Sequence, residues 1–156
     1  MFIKSKILIL IILLATITLT GCFGLSKAEI EKEANNLINS FEREYSNEND
    51  YVIENLLTDD FLYYYEENNQ TYEADKQEFV NMLEDYFYNY RVINFELTNR
   101  TTNVQNQTKV IITADLNETY EDLDYGDEYD YQMKTKFTIE KIGGKWLISE
   151  FIPGNN

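Results

Sequence analysis

The stretch Met133-Lys-Thr-Lys-Phe-Thr-Ile-Glu-Lys-Ile-Gly-Gly-Lys-Trp-Leu-Ile148 decides the fold of this chain. From Met133 to Ile139, every second residue is predicted to face the core and the residues between them are polar. This period of two is the spacing of a β-strand with one buried face. Gly143 and Gly144 divide the stretch into two runs, and a Gly-Gly pair between such runs is a strong signal for a two-residue hairpin. The stretch therefore predicts two antiparallel strands that cover one side of a core.

Two earlier runs have the same period of two, which begins at about Arg91. The residues predicted to face the core are Ile93, Phe95 and Leu97 in the first run and Val110, Ile112, Ala114 and Leu116 in the second. Short polar connections lie at residues 103–107 and 124–127. Together the runs predict four consecutive antiparallel strands, each with one apolar face.

The residues before Arg91 have mainly helical periodicity. The elements expected there are, in order, a helix over 28–46, a short helix over 51–57 with Asp50 as its cap, strands near 61–65 and 71–73, and a helix over 75–89. Asp75 and Glu78 have the spacing of a capping box, in which each side chain satisfies a backbone N–H of the other residue. The capping box marks the start of the last helix.

This order of helix, helix, strand, strand, helix and four strands resembles the nuclear-transport-factor-2-like (SnoaL-like) superfamily. The resemblance covers about residues 28–152, with Leu57-Thr-Asp-Asp-Phe61 and Lys141–Ile148 as its sequence motifs. It implies an α+β cone, with two to three helices packed on a curved, mostly antiparallel sheet of four to six strands. The alternative is a cystatin-like fold, one helix on an antiparallel sheet, and the well-patterned helix at 75–89 counts against it.

The N-terminus has the pattern of a secretory signal. Two lysines precede the apolar run Ile7–Leu19, which is shorter than the about 20 residues that a spanning helix needs. The next residues complete Leu19-Thr20-Gly21-Cys22, which resembles the lipobox of bacterial lipoproteins. In that family a diacylglyceryl group is attached to the cysteine and the signal is cut before it. The alternatives are an uncleaved anchor helix, or ordinary cleavage that leaves a free thiol.

The lipobox resemblance predicts the organisation of the whole chain. Residues 1–21 are the removed signal, 22–27 are the lipidated cysteine and a short tether, and 28–156 are one α+β domain. The expected location is the extracytoplasmic face of the cell membrane, with the protein held there by its lipid.

Charge and composition exclude several functions. Beyond residue 21 the 11 basic and 28 acidic residues give a net charge of −17, which argues against nucleic acid and against electrostatic docking on anionic lipid. The chain has no histidine and one cysteine, which excludes the usual zinc sites and the Ser-His and Cys-His nucleophiles. No cofactor is expected.

The resemblance to the nuclear-transport-factor-2-like superfamily implies an apolar pocket between the helices and the sheet, and four tyrosines are candidates to line it: Tyr63, Tyr65, Tyr86 and Tyr90. Tyrosine offers an apolar ring and a polar tip, which suits the binding of a small apolar ligand. The alternative is that these residues are ordinary core and rim aromatics, since a stripe at structural spacing is usually core.

The acidic stretch Glu118–Asp130 is the second candidate site. Oxygen-rich loops bind calcium, often weakly in extracellular proteins, and the possible ligands here are Asp122, Asp124, Asp127, Glu128 and Asp130. The spacing departs from the EF-hand pattern, because Gly126 comes one residue early. The alternatives are a solvated hairpin tip and a contact surface for a basic partner, anchored by Tyr120, Tyr125, Tyr129 and Tyr131.

The leading functional hypothesis is a membrane-anchored, non-catalytic domain that binds a small ligand or an envelope protein, as a monomer or homodimer. The resemblance also implies an alternative, an isomerase- or dehydratase-type enzyme that uses tyrosine and carboxylate groups in the cone. A closed apolar cone would favour binding or scaffolding. An open pocket with a buried Asp or Glu of raised pKa would favour catalysis.

Overall fold

The structure is a computed structural model that describes residues 24–67 and 70–154. Its elements in chain order are α1 (Lys27–Ser46), α2 (Asp50–Glu54), β1 (Leu57–Glu67), β2 (Gln70–Asp75), α3 (Lys76–Asn89), β3 (Tyr90–Val104), β4 (Lys109–Asp122), β5 (Glu128–Ile142) and β6 (Lys145–Pro153). None of the helices within these residues is long and apolar enough to cross a membrane. The predicted lipobox at Leu19–Cys22 lies outside the described residues.

The six strands form one sheet in the order β2-β1-β6-β5-β4-β3. Every pair of neighbours is antiparallel except β1 and β6, which run parallel. The four strands predicted from the period-two runs are therefore consecutive neighbours in the sheet, as expected. Three helices on a curved, mostly antiparallel sheet confirm the predicted α+β cone.

Helix α1 lies against the concave face of the sheet, and its start is fixed by a second capping box. The Ser26 hydroxyl accepts from the Glu29 backbone N–H, and the Glu29 carboxylate accepts from the Ser26 backbone N–H. The apolar residues that recur at helical spacing along this helix are buried: Ile30, Ala34, Leu37, Ile38 and Phe41. Phe41, at its centre, packs edge-on against Phe137 of β5 and Phe151 of β6, with ring centroids 5.5 and 5.8 Å apart. This contact joins the helix to the middle of the sheet.

Helix α3 begins as the sequence predicts and closes the cone from the other side. The Asp75 carboxylate accepts from the Glu78 N–H at 2.9 Å, and the Glu78 carboxylate accepts from the Asp75 N–H at 3.2 Å. Phe79 and Leu83 are buried on its inner face. The Phe79 ring packs against Phe61 of β1 at 5.1 Å, which positions the helix over the first strand.

One residue predicted to be inside is outside. Ile93 is 47% exposed, whereas its neighbour Val92 is buried. The pairing of β3 with β4 shifts register between Val92 and Asn94, and such a bulge reverses the face on which the following side chains lie. Phe95 and Leu97 return to the core beyond the bulge.

The predicted short helix is also shorter than expected. Helix α2 ends at Glu54, its N-cap is Asn49 rather than Asp50, and Leu57 already belongs to β1. The Leu56 carbonyl accepts from the Ile148 N–H at 2.8 Å, so pairing with β6 takes over from the helix at this point.

The acidic stretch Glu118–Asp130 is mostly strand rather than loop. Strand β4 continues to Asp122 and β5 starts at Glu128, so the turn consists of residues 123–127 only. Among the residues that the structure describes, every member of the hydrophobic core lies between Leu25 and Phe151. A protein that lacks residues 1–22 thus keeps the whole core and is expected to fold.

Candidate functional site

A cavity of about 570 Å³ lies between α1, α3 and the concave face of the sheet, and it opens to solvent. Every described element except α2 and β2 contributes to its wall. The lining residues are Tyr45, Tyr63, Tyr65, Phe79, Met82, Leu83, Tyr86, Phe95, Leu116, Glu118, Tyr120, Tyr131, Met133, Phe151, Pro153 and Gly154. Nine of these sixteen residues are aromatic, so the site is suited to a ligand with a largely apolar body.

Glu118 is the one charged residue among the lining side chains of the described chain. It follows Leu116 by two positions on β4 and therefore points to the same, concave side of the sheet. Only 9% of the residue is exposed. The Tyr86 hydroxyl, on α3, donates a hydrogen bond of 2.9 Å to its carboxylate. The cavity thus has a single polar anchor, which is held from the helix side.

Burial raises the pKa of Glu118 above its ordinary value. The hydrogen bonds from Tyr86 and Tyr45 favour the charged carboxylate and act in the opposite direction, but they do not offset the loss of water. No Lys or Arg forms an ion pair with Glu118 among the residues described. The negative charge in the cavity is therefore incompletely compensated.

The tyrosines around Glu118 remain protonated at neutral pH. Burial raises the pKa of Tyr63 to about 12, with smaller contributions from the neighbouring Tyr131 and Glu118. Burial, followed by the charge of Glu118, also raises the pKa of Tyr45 and of Tyr86. Their hydroxyls can therefore act as hydrogen-bond donors in the cavity, and none of them is poised to act as a base.

Three of the four tyrosines predicted to line a pocket do lie in the cavity wall: Tyr63, Tyr65 and Tyr86. Tyr90 is not among the lining residues. Its ring packs against Tyr86 at 5.1 Å and against Tyr120 at 5.2 Å, so it supports the wall from behind.

The sequence analysis missed Tyr45 and Glu118, and it considered Tyr120 and Tyr131 only as part of an alternative partner-contact surface, whereas the structure places both in the cavity wall. For Glu118 a signal was present. The buried alternation Val110, Ile112, Ala114, Leu116 continues to Glu118 without interruption. An acidic residue that continues the buried face of a strand indicates a functional site. The sequence analysis instead grouped Glu118 with the acidic residues that follow it, so this indication was overlooked.

The predicted calcium ligands are spread over two strand ends and a turn. Asp122 accepts hydrogen bonds from the backbone N–H groups of Asp124 and Tyr125, and Asp130 accepts one from the Thr119 hydroxyl. No group of three or more acidic or cysteine side chains within residues 24–67 and 70–154 is placed to hold a metal ion. Calcium binding stays a prediction, which titration with millimolar calcium would test.

The described residues share their fold with a group of solved structures. Residues arranged as three helices on a six-stranded curved sheet form the cone of nuclear-transport-factor-2-like proteins, and solved structures of that class superimpose on this chain. No protein-family model matches the sequence, and no curated protein matches it.

Three solved structures illustrate the likeness. A nuclear-transport-factor-2-like protein from Cytophaga hutchinsonii has a TM-score of 0.64 at 11% identity, covering 85% of this chain and 100% of that one. A ketosteroid isomerase-like protein from Erwinia carotovora atroseptica has a TM-score of 0.68 at 10% identity, covering 80% and 94%. A nuclear-transport-factor-2-like protein of unknown function from Pseudomonas putida has a TM-score of 0.66 at 16% identity, covering 85% and 90%. At these identities the likeness shows the fold alone.

Proposed function

We propose that this chain is a lipid-anchored protein of the bacterial cell envelope whose cone domain binds a small, mostly apolar ligand in the cavity around Glu118. The observation that carries the proposal is the cavity itself, about 570 Å³ in volume, open to solvent and walled mainly by aromatic residues. Pockets of this size with a few placed polar groups are the usual sites for small molecules. The anchor rests on the lipobox resemblance at Leu19–Cys22.

Two groups in the cavity support binding in a defined orientation. The apolar rings supply contact area, and the Glu118 carboxylate, held by Tyr86 at 2.9 Å, supplies one fixed polar contact. A buried polar group that is fixed in place discriminates strongly against ligands that leave it unpaired.

The binding proposal is tested by filling the cavity. Met133 lines it from β5 and is partly buried, so Met133→Trp should occupy ligand space while the fold is kept. The matched control is Ile111→Trp on the adjacent strand β4, where Ile111 lies on the opposite face of the sheet from its buried neighbours Val110 and Ile112. The probe is N-phenyl-1-naphthylamine, a neutral dye whose fluorescence rises in an apolar site.

We expect the domain lacking residues 1–22 to enhance the dye's fluorescence saturably, the control to do the same, and Met133→Trp to weaken binding about tenfold or more. Equal dye binding by all three proteins would place the dye outside the cavity and contradict the proposal. The absence of dye binding by the unaltered domain would contradict it as well. Melting curves of both variants check that they are folded.

A second candidate function is acid–base catalysis, which the buried Glu118 specifically favours. An open cavity with a carboxyl group of raised pKa meets the condition under which catalysis was expected. Against it, Glu118 is the single carboxyl group in the described wall, and the Tyr86 hydroxyl is already donated to it. The isomerase-type arrangement that the resemblance implies needs a carboxylate base and, separately, a Tyr with a protonated acid as donors to the developing oxyanion, and no second acid lines the described wall. Binding is therefore the leading proposal.

The catalytic candidate predicts that Glu118 removes a proton next to a carbonyl group. Incubation of the domain in D2O with cyclic ketones, followed by NMR, would detect deuterium incorporation at the α-carbon. Incorporation that Glu118→Gln abolishes would support an enzyme. Equal rates of deuterium incorporation with the unaltered domain, with the variant and with buffer alone would contradict the catalytic candidate.

A further inference from the structure

We propose that the cavity is selective for organic cations, namely ligands that carry an amine or quaternary ammonium group on an apolar body. The inference rests on the proposed function, because it names the class of ligand that the same cavity takes. It is derived from three features of the described residues: the sign of the buried charge, the absence of a paired cation, and the aromatic wall.

The first feature is the charge balance of the cavity. Glu118 contributes one carboxylate, and no Lys or Arg is present among the lining residues of the described chain. A buried charge without an opposite charge is costly. A ligand that brings a positive charge relieves that cost, a neutral ligand leaves it unchanged, and an anionic ligand increases it. The cavity is therefore expected to discriminate between ligands by their charge, independently of their shape.

The second feature is what already holds Glu118. Its defined partner is the neutral hydroxyl of Tyr86 at 2.9 Å, and Tyr45 adds a weaker contribution from α1. These contacts fix the carboxylate in place without neutralising it. Carboxylate oxygens accept several hydrogen bonds, so capacity remains for an ammonium N–H donor or for close contact with a quaternary ammonium group.

The third feature is the aromatic wall around the carboxylate. The rings of Tyr86 and Tyr120 lie in this wall with their centroids 5.7 Å apart, and Tyr90 packs behind both at 5.1 and 5.2 Å. Tyr63 and Tyr65 form a second, stacked pair at 5.6 Å across the cavity. Aromatic ring faces attract cations within about 6 Å, most strongly where water is excluded. Aromatic rings beside one carboxylate are the chemistry that recognises an organic cation.

The charge of the whole protein acts in the same direction. Beyond residue 21 the excess of acidic over basic residues is 17, so the domain attracts cations and repels anions at low ionic strength. This long-range contribution is weakened by salt, whereas the contact with Glu118 inside the cavity is screened much less. A cation preference that persists in high salt would therefore originate in the cavity.

The pH dependence follows from the titratable groups that face Glu118. These are Tyr45 from α1, Tyr86 from α3, Tyr63 from β1, Tyr131 from β5, which is the cross-strand partner of Glu118, and Tyr120 on β4 itself. Tyrosine hydroxyls are neutral in the working range, and burial raises the pKa of Tyr45, Tyr63, Tyr86 and Tyr120 further. Glu118 is then the group that changes charge. Cation affinity should fall as the pH drops through the raised pKa of Glu118, while the affinity for a neutral ligand should not.

A matched pair of probes tests the inference. The cation 4-(trimethylammonio)phenol and the neutral 4-tert-butylphenol have nearly the same shape and differ in charge. Both are titrated calorimetrically into the domain lacking residues 1–22, into Glu118→Gln, and into Glu96→Gln, whose glutamate is exposed on β3. The titrations are done at low and at high salt.

We expect the cation to bind about tenfold or more tightly than its neutral counterpart in the unaltered domain and in Glu96→Gln. Glu118→Gln should abolish that preference and leave the affinity for the neutral probe within about threefold. If both probes bind equally well to the unaltered domain, the cation inference fails and the proposed binding function stands. If neither probe binds, both fail. A preference retained in Glu118→Gln would also overturn the inference.

Discussion

At the scale of single residues, Glu118 is the point where stability and function conflict. The residue lies on the buried face of β4, and the residues before it on that face are all apolar. Burial raises the pKa of its carboxyl group. A fold selected for stability alone would place an apolar side chain there. Groups that are unfavourable for stability and sit in a cavity are typical of functional sites.

This conflict makes a signed prediction for stability. The folded protein holds the Glu118 proton more tightly than the unfolded chain does, so the contribution of this residue is most favourable below the unfolded pKa of about 4.3. The contribution becomes unfavourable as the pH rises through the raised folded pKa. Glu118→Gln does not titrate and can still accept from Tyr86. It should melt a few degrees higher than the unaltered domain at pH 7 and at nearly the same temperature at pH 3.5.

Thermal unfolding followed by circular dichroism across that pH range checks the prediction. Glu96→Gln is the control, because Glu96 lies in solvent and its replacement should not change the pH dependence. A Glu118→Gln variant that melts below the unaltered domain at pH 7 would contradict the account of Glu118 as an uncompensated buried charge.

The hydrogen bond from Tyr86 gives a second prediction at this scale. Removing the hydroxyl in Tyr86→Phe takes away a donor that favours the charged carboxylate, so the pKa of Glu118 should rise further. Carbon-detected NMR of the glutamate carboxyl groups measures this directly. Tyr88→Phe, which alters an exposed tyrosine on the same helix, should leave the titration unchanged. An unshifted titration in Tyr86→Phe would show that the hydrogen bond does not control the charge of Glu118.

At the scale of elements, the sequence predicted what depends on local periodicity and missed what depends on strand pairing. The capping box at Asp75 and Glu78 located the start of α3, and the Gly-Gly pair located the last hairpin. The exposure of Ile93 follows from a register shift against β4, which no local pattern records. The parallel pairing of β1 with β6 and the convergence of Tyr45, Tyr86 and Glu118 are likewise products of tertiary packing.

The capping box of α3 is open to a direct test. Asp75→Ala removes the side chain that accepts from the Glu78 N–H at 2.9 Å, and such a loss costs about 1 kcal/mol of stability. Glu84→Ala, at an exposed position in the same helix, is the control and should change stability by less than about 0.5 kcal/mol. Chemical denaturation monitored by fluorescence measures both. An Asp75→Ala loss no larger than that of the control would mean that packing alone fixes the start of the helix.

At the scale of the whole molecule, the proposed anchor and the charge of the domain have a joint consequence. With a net charge of −17 beyond residue 21, the domain gains nothing from anionic lipid, so in the anchoring proposal the whole membrane affinity comes from the proposed lipid at Cys22. Cys22→Ser should therefore abolish incorporation of an alkyne-tagged fatty acid into the protein. A wash in 1 M salt should leave the unaltered protein in the membrane fraction.

Fatty-acid labelling followed by membrane fractionation checks both statements. The Asp75→Ala variant is a suitable control, because it keeps the lipobox and should be labelled like the unaltered chain. Labelling that survives in Cys22→Ser, or release of the unaltered protein by salt, would contradict the anchoring proposal and leave the binding proposal untouched.

The central claim is that the cone cavity is a ligand site, and methionine NMR tests it most directly. The chain has three methionines, of which Met1 lies in the predicted signal, while Met82 and Met133 both line the cavity. In the domain lacking residues 1–22, labelled with ¹³C at its methionine methyl groups, Met82 reports on the cavity wall from α3 and Met133 reports on it from β5. We predict that both signals shift saturably, with one dissociation constant, on titration with 4-(trimethylammonio)phenol or 4-tert-butylphenol. Signals that stay in place while the domain remains folded would contradict the claim.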